Sequence, residues 1–164
     1  MQRRRLLLIA LVIAGVVGWY LFRPERLFIN AKVSESFPVA TDAKTASADS
    51  PPMRLLSGSF HSVAHKGIGT ATVFKLADGN RVLRFTDFET SNGPDVHVYL
   101  VAAEDARDGD TVTRSGFIEL GSLKGNIGDQ NYDLPSGVDL TKYRAVTIWC
   151  RRFAVNFATA PLAE

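Results

Sequence analysis

The one cysteine among 164 residues, Cys150, lies in AVTIWCRRFAVNFATAPL between Trp149 and the pair Arg151 and Arg152. A lone thiol cannot cycle through an internal disulfide. It can form a sulfenic acid or a mixed disulfide, ligate a metal, or give up one electron as a thiyl radical. Guanidinium groups close to the sulfur would favour the thiolate, the reactive form. Cys150 is therefore the candidate redox thiol, with Trp149, Arg151 and Arg152 as candidate tuning residues. The opposite reading is a small apolar side chain that fills the core, because free cysteine is among the most buried residue types.

The remaining chemistry-bearing residues form no complete constellation. The histidines are His61, His65 and His97. A blue-copper site needs a histidine and an axial methionine after its cysteine, and nothing after Cys150 is either. The CxxCH of haem attachment is absent. No metal ligand set is assigned and the cofactor is left unknown; the histidines are expected to be solvated. Asp129-Gln130-Asn131-Tyr132-Asp133 begins like a calcium loop, but Leu134, Pro135 and Leu140 stand where glycine and the bidentate glutamate are required, so self-capping turns are expected. Asp87, Glu89 and Asp95 flank a turn and read as solvated. There is no Gly-rich phosphate loop and no nucleophile elbow. Turnover of a substrate by this chain alone is not expected.

The elements that must position Cys150 are strands. In AVTIWC, Val146, Ile148 and Cys150 share one face, and Thr147 and Trp149 the other. Phe153, Val155 and Phe157 form an apolar row of opposite parity, so the chain needs a bulge or tight corner at Arg151-Arg152. Asp78-Gly79 in VFKLADGNRVLRF is a hairpin signal between two alternating runs. After SNGPD, the run VHVYLVA alternates Val96, Val98 and Leu100 with His97, Tyr99 and Val101. Phe117, Ile118 and Leu120 mark a short strand; GSLKGNIGDQNYDLPSG reads as turns with short extended pieces. No helix is expected after residue 54. Seven to nine short strands predict an all-β, antiparallel sandwich or small barrel over residues 54–164.

Residues 1–30 read differently. Leu6 to Phe22 is an uncharged run of seventeen residues behind Arg3, Arg4 and Arg5, with Trp19 and Tyr20 near its far end. This predicts one N-terminal transmembrane helix, an uncleaved signal anchor rather than a cleaved signal peptide. The arginine bias puts the N-terminus in the cytoplasm and the rest outside, in a bacterial periplasm or at a cell surface. Residues 31–53 are rich in Ser, Ala, Thr and Pro and are expected to be a flexible tether. Charge follows the same division. Residues 1–53 hold seven Lys/Arg and four Asp/Glu, leaving twelve and thirteen in residues 54–164. The globular part therefore lacks the positive footprint of a phosphate-backbone reader, and nucleic acid is excluded as a partner.

Three stretches, GTATVFKLADGNRVLRFTDFETSNGPDVHVYL, LGSLKGNIGDQNYDLP and YRAVTIWCRRFAVNFATAPL, together resemble the DM-thirteen domain, also called the electron-transfer DM-thirteen domain, over about residues 54–162. The resemblance implies a β-rich domain and a redox role centred on the cysteine that matches Cys150. Family members sit beside DOMON and cytochrome b-type domains. Neither is present here, so an electron partner would be a separate redox protein. The alternative is a non-enzymatic extracytoplasmic binding or envelope-assembly module whose cysteine is structural.

Overall fold

A computed structural model describes residues 2–22, 29–38 and 51–164. In chain order its elements are α1 (Gln2–Phe22), β1 (Lys32–Ser34), β2 (Met53–Ser59), β3 (His61–Ser62), β4 (Gly67–Lys75), β5 (Arg81–Thr90), β6 (Val96–Val101), α2 (Gly109–Ser115), β7 (Phe117–Ser122), β8 (Ile127–Leu134), β9 (Ala145–Cys150) and β10 (Val155–Pro161). They form two five-stranded sheets, ordered β1-β8-β5-β4-β2 and β3-β10-β9-β6-β7. Every pairing is antiparallel except that of β1 with β8.

The sandwich expected for residues 54–164 is present. Alternation puts Val73, Leu83, Phe85, Val98, Leu100, Ile148 and Leu162 between the sheets. Phe60, Phe85 and Phe88 meet there with ring centroids 4.9–5.0 Å apart. Such pairs add directional contacts to the apolar burial that holds the sheets together. Asp78-Gly79 turns β4 into β5, with Gly79 at φ 86°.

Three expectations need correction. A helix does occur after residue 54. Asp108 has extended backbone and its side chain accepts from Thr111 N, which caps α2. Seven residues are too few for a visible helical period, so only the cap could have signalled it. The segment expected to be mostly turns contains β8, eight residues paired to β5. Gly125 and Gly128 misled because they serve close approach to Ala31 and Val33 rather than turns.

The third correction concerns the anchor. Among the described residues no helix is long and apolar enough to cross a membrane. α1 reaches 21 residues by including Arg3, Arg4 and Arg5. Its uncharged run measures about 26 Å, against roughly 30 Å of hydrocarbon. Its leucines, isoleucines and valines from Leu6 to Val17 are exposed.

The expected tether of residues 31–53 begins with docked structure. β1 lies along β8 with Val33 opposite Gly128. The Glu35 carboxylate accepts from Lys124 Nζ at 2.7 Å and from Asn131 N at 2.8 Å. Arg84 donates to the Glu35 carbonyl, and Phe37 meets Phe74 edge-on at 5.0 Å. Residues 39–50 lie outside the described residues.

Gly128 makes this strap possible. Its φ is 100°, and a Cβ there would collide with the Val33 carbonyl. Gly128→Ala is expected to cost more than about 1 kcal/mol and to displace residues 31–37. Limited proteolysis of the full chain should then cut ahead of β2. Acid should release the same strap. Burial pushes the Glu35 carboxyl up, and the bonds from Lys124 and Asn131 outweigh it, holding the pKa below the usual carboxylate range. A depressed folded pKa means that the stabilisation is full at neutral pH and is lost as pH falls through the folded value. Hydrogen-exchange protection of Glu35 N, which donates to Asp129 O, should accordingly fall on acidification while β5 stays protected.

Candidate functional site

Cys150 is the last residue of β9, and its neighbours across the ladder are Val155 on β10 and Val96 on β6. Its inward parity places it among the aliphatic and aromatic groups between the sheets, with no exposed surface. It is a free thiol. The corner expected at Arg151-Arg152 exists as a turn over residues 151–154, followed by a bulge between Asn156 and Ala158. The bulge turns both Phe157 and Ala158 inward, so the inward parity passes from Val155 and Phe157 to Ala158 and Ala160. Ala154 holds the turn at φ 51°, where a side chain is strained.

The four candidates are not brought to one point. Trp149 faces the opposite side of the sheet from Cys150, in a second buried cluster with Tyr99, Val101, Val112 and Ala145 under α2. Arg151 also turns outward. Its Nε donates to Asp95 Oδ2 at 3.2 Å, and its guanidinium lies 3.8 Å from Glu119. Arg152 is exposed in the turn. Arg151 therefore adds its charge to the outer face of the second sheet, and the sulfur lies in an apolar setting.

That outer face carries the densest group of titratable side chains described around β6. Asp95, His97 and Tyr99 follow one another at the two-residue period of β6 and all face outward. Tyr99 lies directly opposite Thr147 on β9 and Glu119 on β7. Its ring stacks on Phe117 at 4.3 Å and on Trp149 at 6.3 Å. His97 is buried, against the expectation of a solvated histidine. Its Nε2 is 2.8 Å from Asp95 Oδ1, and its Nδ1 is 2.7 Å from a Glu119 carboxylate oxygen. The second approach is close but off line, so Nδ1 has no hydrogen-bond partner among the described residues.

Electrostatics on this face couple acid and ring. Burial pushes the Asp95 carboxyl up, and His97 and Arg151 together outweigh it and hold the pKa below the usual range. Burial raises the Tyr99 phenol, and the Glu119 carboxylate raises it further. The phenol is thus kept protonated on the strand that faces Glu119. A cleft of about 470 Å³ opens next to Asp95 and His97, walled by Pro94, Leu123 and Asn126 and by Ile29 and Ala31 of the incoming chain.

The other sequence candidates are structural. Asp129 receives Arg84 Nη2 at 2.6 Å instead of forming a calcium loop. His61 contacts Asp105 at 2.8 Å, and His65 lies on the Phe157 ring at 3.9 Å. Among the described residues no three His, Cys, Asp or Glu side chains are grouped to hold a metal ion. Sequence reasoning grouped His97 with Tyr99 on one face but missed Glu119, whose role depends on the β6–β7 register.

Compared with known proteins, the chain matches the family model described as electron transfer DM13 over residues 59–162. No curated protein matches it, and no solved structure does.

Proposed function

The chain belongs to the electron transfer DM13 family, and from that premise we propose that it passes single electrons through the stacked Tyr99 and Trp149 on the outer face of the second sheet. One observation carries this reading: the two oxidisable rings stack on each other, and Glu119 stands opposite Tyr99 in the β6–β7 register. In the step, one electron leaves the ring pair for a one-electron acceptor on a separate redox protein. The Tyr99 phenol proton moves to the Glu119 carboxylate, leaving a neutral tyrosyl radical. A one-electron donor and the returning proton restore the phenol. Arg151, 3.8 Å from Glu119, offsets the charge of that carboxylate. Exposed Phe117, stacked on Tyr99, is the edge at which the acceptor protein approaches.

The test is photochemical one-electron oxidation of the full chain in a Trp19→Phe, Tyr20→Phe background, followed by transient absorption. A tryptophan radical should convert to a tyrosyl radical. Loss of neither product in the Tyr99→Phe, Trp149→Phe double variant would overturn the assignment.

We also propose attachment to a membrane through α1, with the β domain on the extracytoplasmic side. The exposed apolar sides of α1 support this, as do three arginines that can snorkel to the headgroups beside a short apolar run. Fractionation of cells expressing the full chain, with protease added from outside, tests both points.

The complete burial of Cys150 favours a second reading of that residue. On this reading the thiol is structural and the domain could serve binding or envelope assembly alone. Thiol chemistry at Cys150, with Trp149, Arg151 and Arg152 tuning it, would instead require the β9–β10 turn to open.

A further inference from the structure

The two ends of the sandwich differ. At one end β6 begins, β9 finishes and the chain enters at Ile29. Asn30 Oδ1 accepts there from Asn92 Nδ2 at 2.8 Å and Asn126 Nδ2 at 3.1 Å, and Asn126 Oδ1 accepts from Ala31 N. These bonds fasten the incoming chain, and the strap formed by β1, Glu35 and Phe37 continues the attachment along β8. At most seven Cα steps then separate the last residue of α1 from the sandwich, a reach of about 25 Å. A free tether over residues 23–52 would reach several times farther.

Exposed apolar side chains are biased to this same end. Outside α1 the large exposed ones among the described residues are Ile29, Met53, Ile68, Phe117 and Phe153. Ile29, Ile68 and Phe153 are at the end where the chain enters, whereas Met53 and Phe117 are at the other, paired with Lys75 and Val101. Phe153 is 65% exposed in the strained turn between Arg151 and Ala154. An aromatic ring at a hairpin tip beside arginines, with an isoleucine at the chain entry, has the composition that settles at a lipid interface.

We propose that this end of the sandwich is a lipid-docking surface, with Phe153 and Ile29 entering the headgroup layer of the membrane that holds α1. The inference rests on the membrane attachment proposed above. The docked strap keeps this end within reach of the bilayer and leaves Phe117, at the opposite end, turned to solution where a partner protein can approach.

Lipid quenching tests it on the full chain. Phe153→Trp and Ile29→Trp place reporters at the docking end, and Asn80→Trp places one beside Gly79 at the far end, all in a Trp19→Phe background. Each variant is bound to vesicles of phosphatidylcholine and phosphatidylglycerol with brominated acyl chains. Emission from the reporters at 153 and 29 should be lost relative to the parent, and that from the reporter at 80 retained. If the chain sediments with the vesicles but the reporters at 153 and 29 behave like that at 80, the docking surface is wrong and the attachment stands. A chain that does not sediment with vesicles overturns the attachment, and the docking surface with it.

Discussion

Trp149→Phe is expected to leave the chain folded and to cut the yield of tyrosyl radical on one-electron oxidation at least about tenfold, equivalent to 1.4 kcal/mol of lost driving force or coupling. Phenylalanine keeps a ring against Tyr99 but leaves a void under α2, so a stability loss of about 1–3 kcal/mol is expected. What disappears is the indole, the second oxidisable ring of the stacked pair. Tyr99→Phe should have the complementary effect: the tryptophan radical forms, but it has no phenol to pass to. Glu119→Gln retains shape and removes the proton acceptor, so the tryptophan radical should persist while tyrosyl radical formation slows. Transient absorption reads all three.

The second large effect concerns the thiol. Cys150→Ser replaces a sulfur that needs no partner by a hydroxyl that finds none between Val96 and Val155, and it is expected to cost about 1–3 kcal/mol. Cys150→Ala leaves a small void and no polar demand, so it should cost less. Neither change should alter radical yield. In the native chain Cys150 should react with iodoacetamide at least about a hundredfold more slowly than in denaturant, because reaction waits on local opening of the hairpin end. Denaturant melts of the two variants, with alkylation followed by mass, check both statements. A thiol that labels rapidly in the native chain would restore the exposed, arginine-tuned cysteine as the redox group.

Much of the fold was legible because it depends on local signals. Asp78-Gly79 specifies a hairpin, and the alternation in β5, β6 and β9 states which side chains share a face. The family match reads the same stretches. What was illegible depends on register between distant strands. Parity put Cys150 and its neighbours Trp149 and Arg151 on opposite faces, but parity alone did not say which face was sealed. Glu119 lies across from Tyr99 only after β7 pairs with β6, and nothing in Phe117–Ser122 advertises it. The strap was hidden by composition. Lys32–Phe37 is polar and short, and its partner is a glycine-bearing segment that looks like a turn. Only the pairing of Val33 with Gly128 shows why the glycine is there. The histidines failed for a related reason: a period of two places His97 on a face, but neutralising partners decide whether that face is wet or dry.

The account turns on where an electron is removed from this domain. Freeze-quenched paramagnetic resonance of the Trp19→Phe, Tyr20→Phe chain, oxidised by one electron and grown with ring-deuterated tyrosine, reads that location directly. The predicted spectrum is a tyrosyl signal that narrows on deuteration, survives Cys150→Ala and is lost in Tyr99→Phe. A signal that is indifferent to deuteration and vanishes in Cys150→Ala would place the oxidation on sulfur and contradict the account.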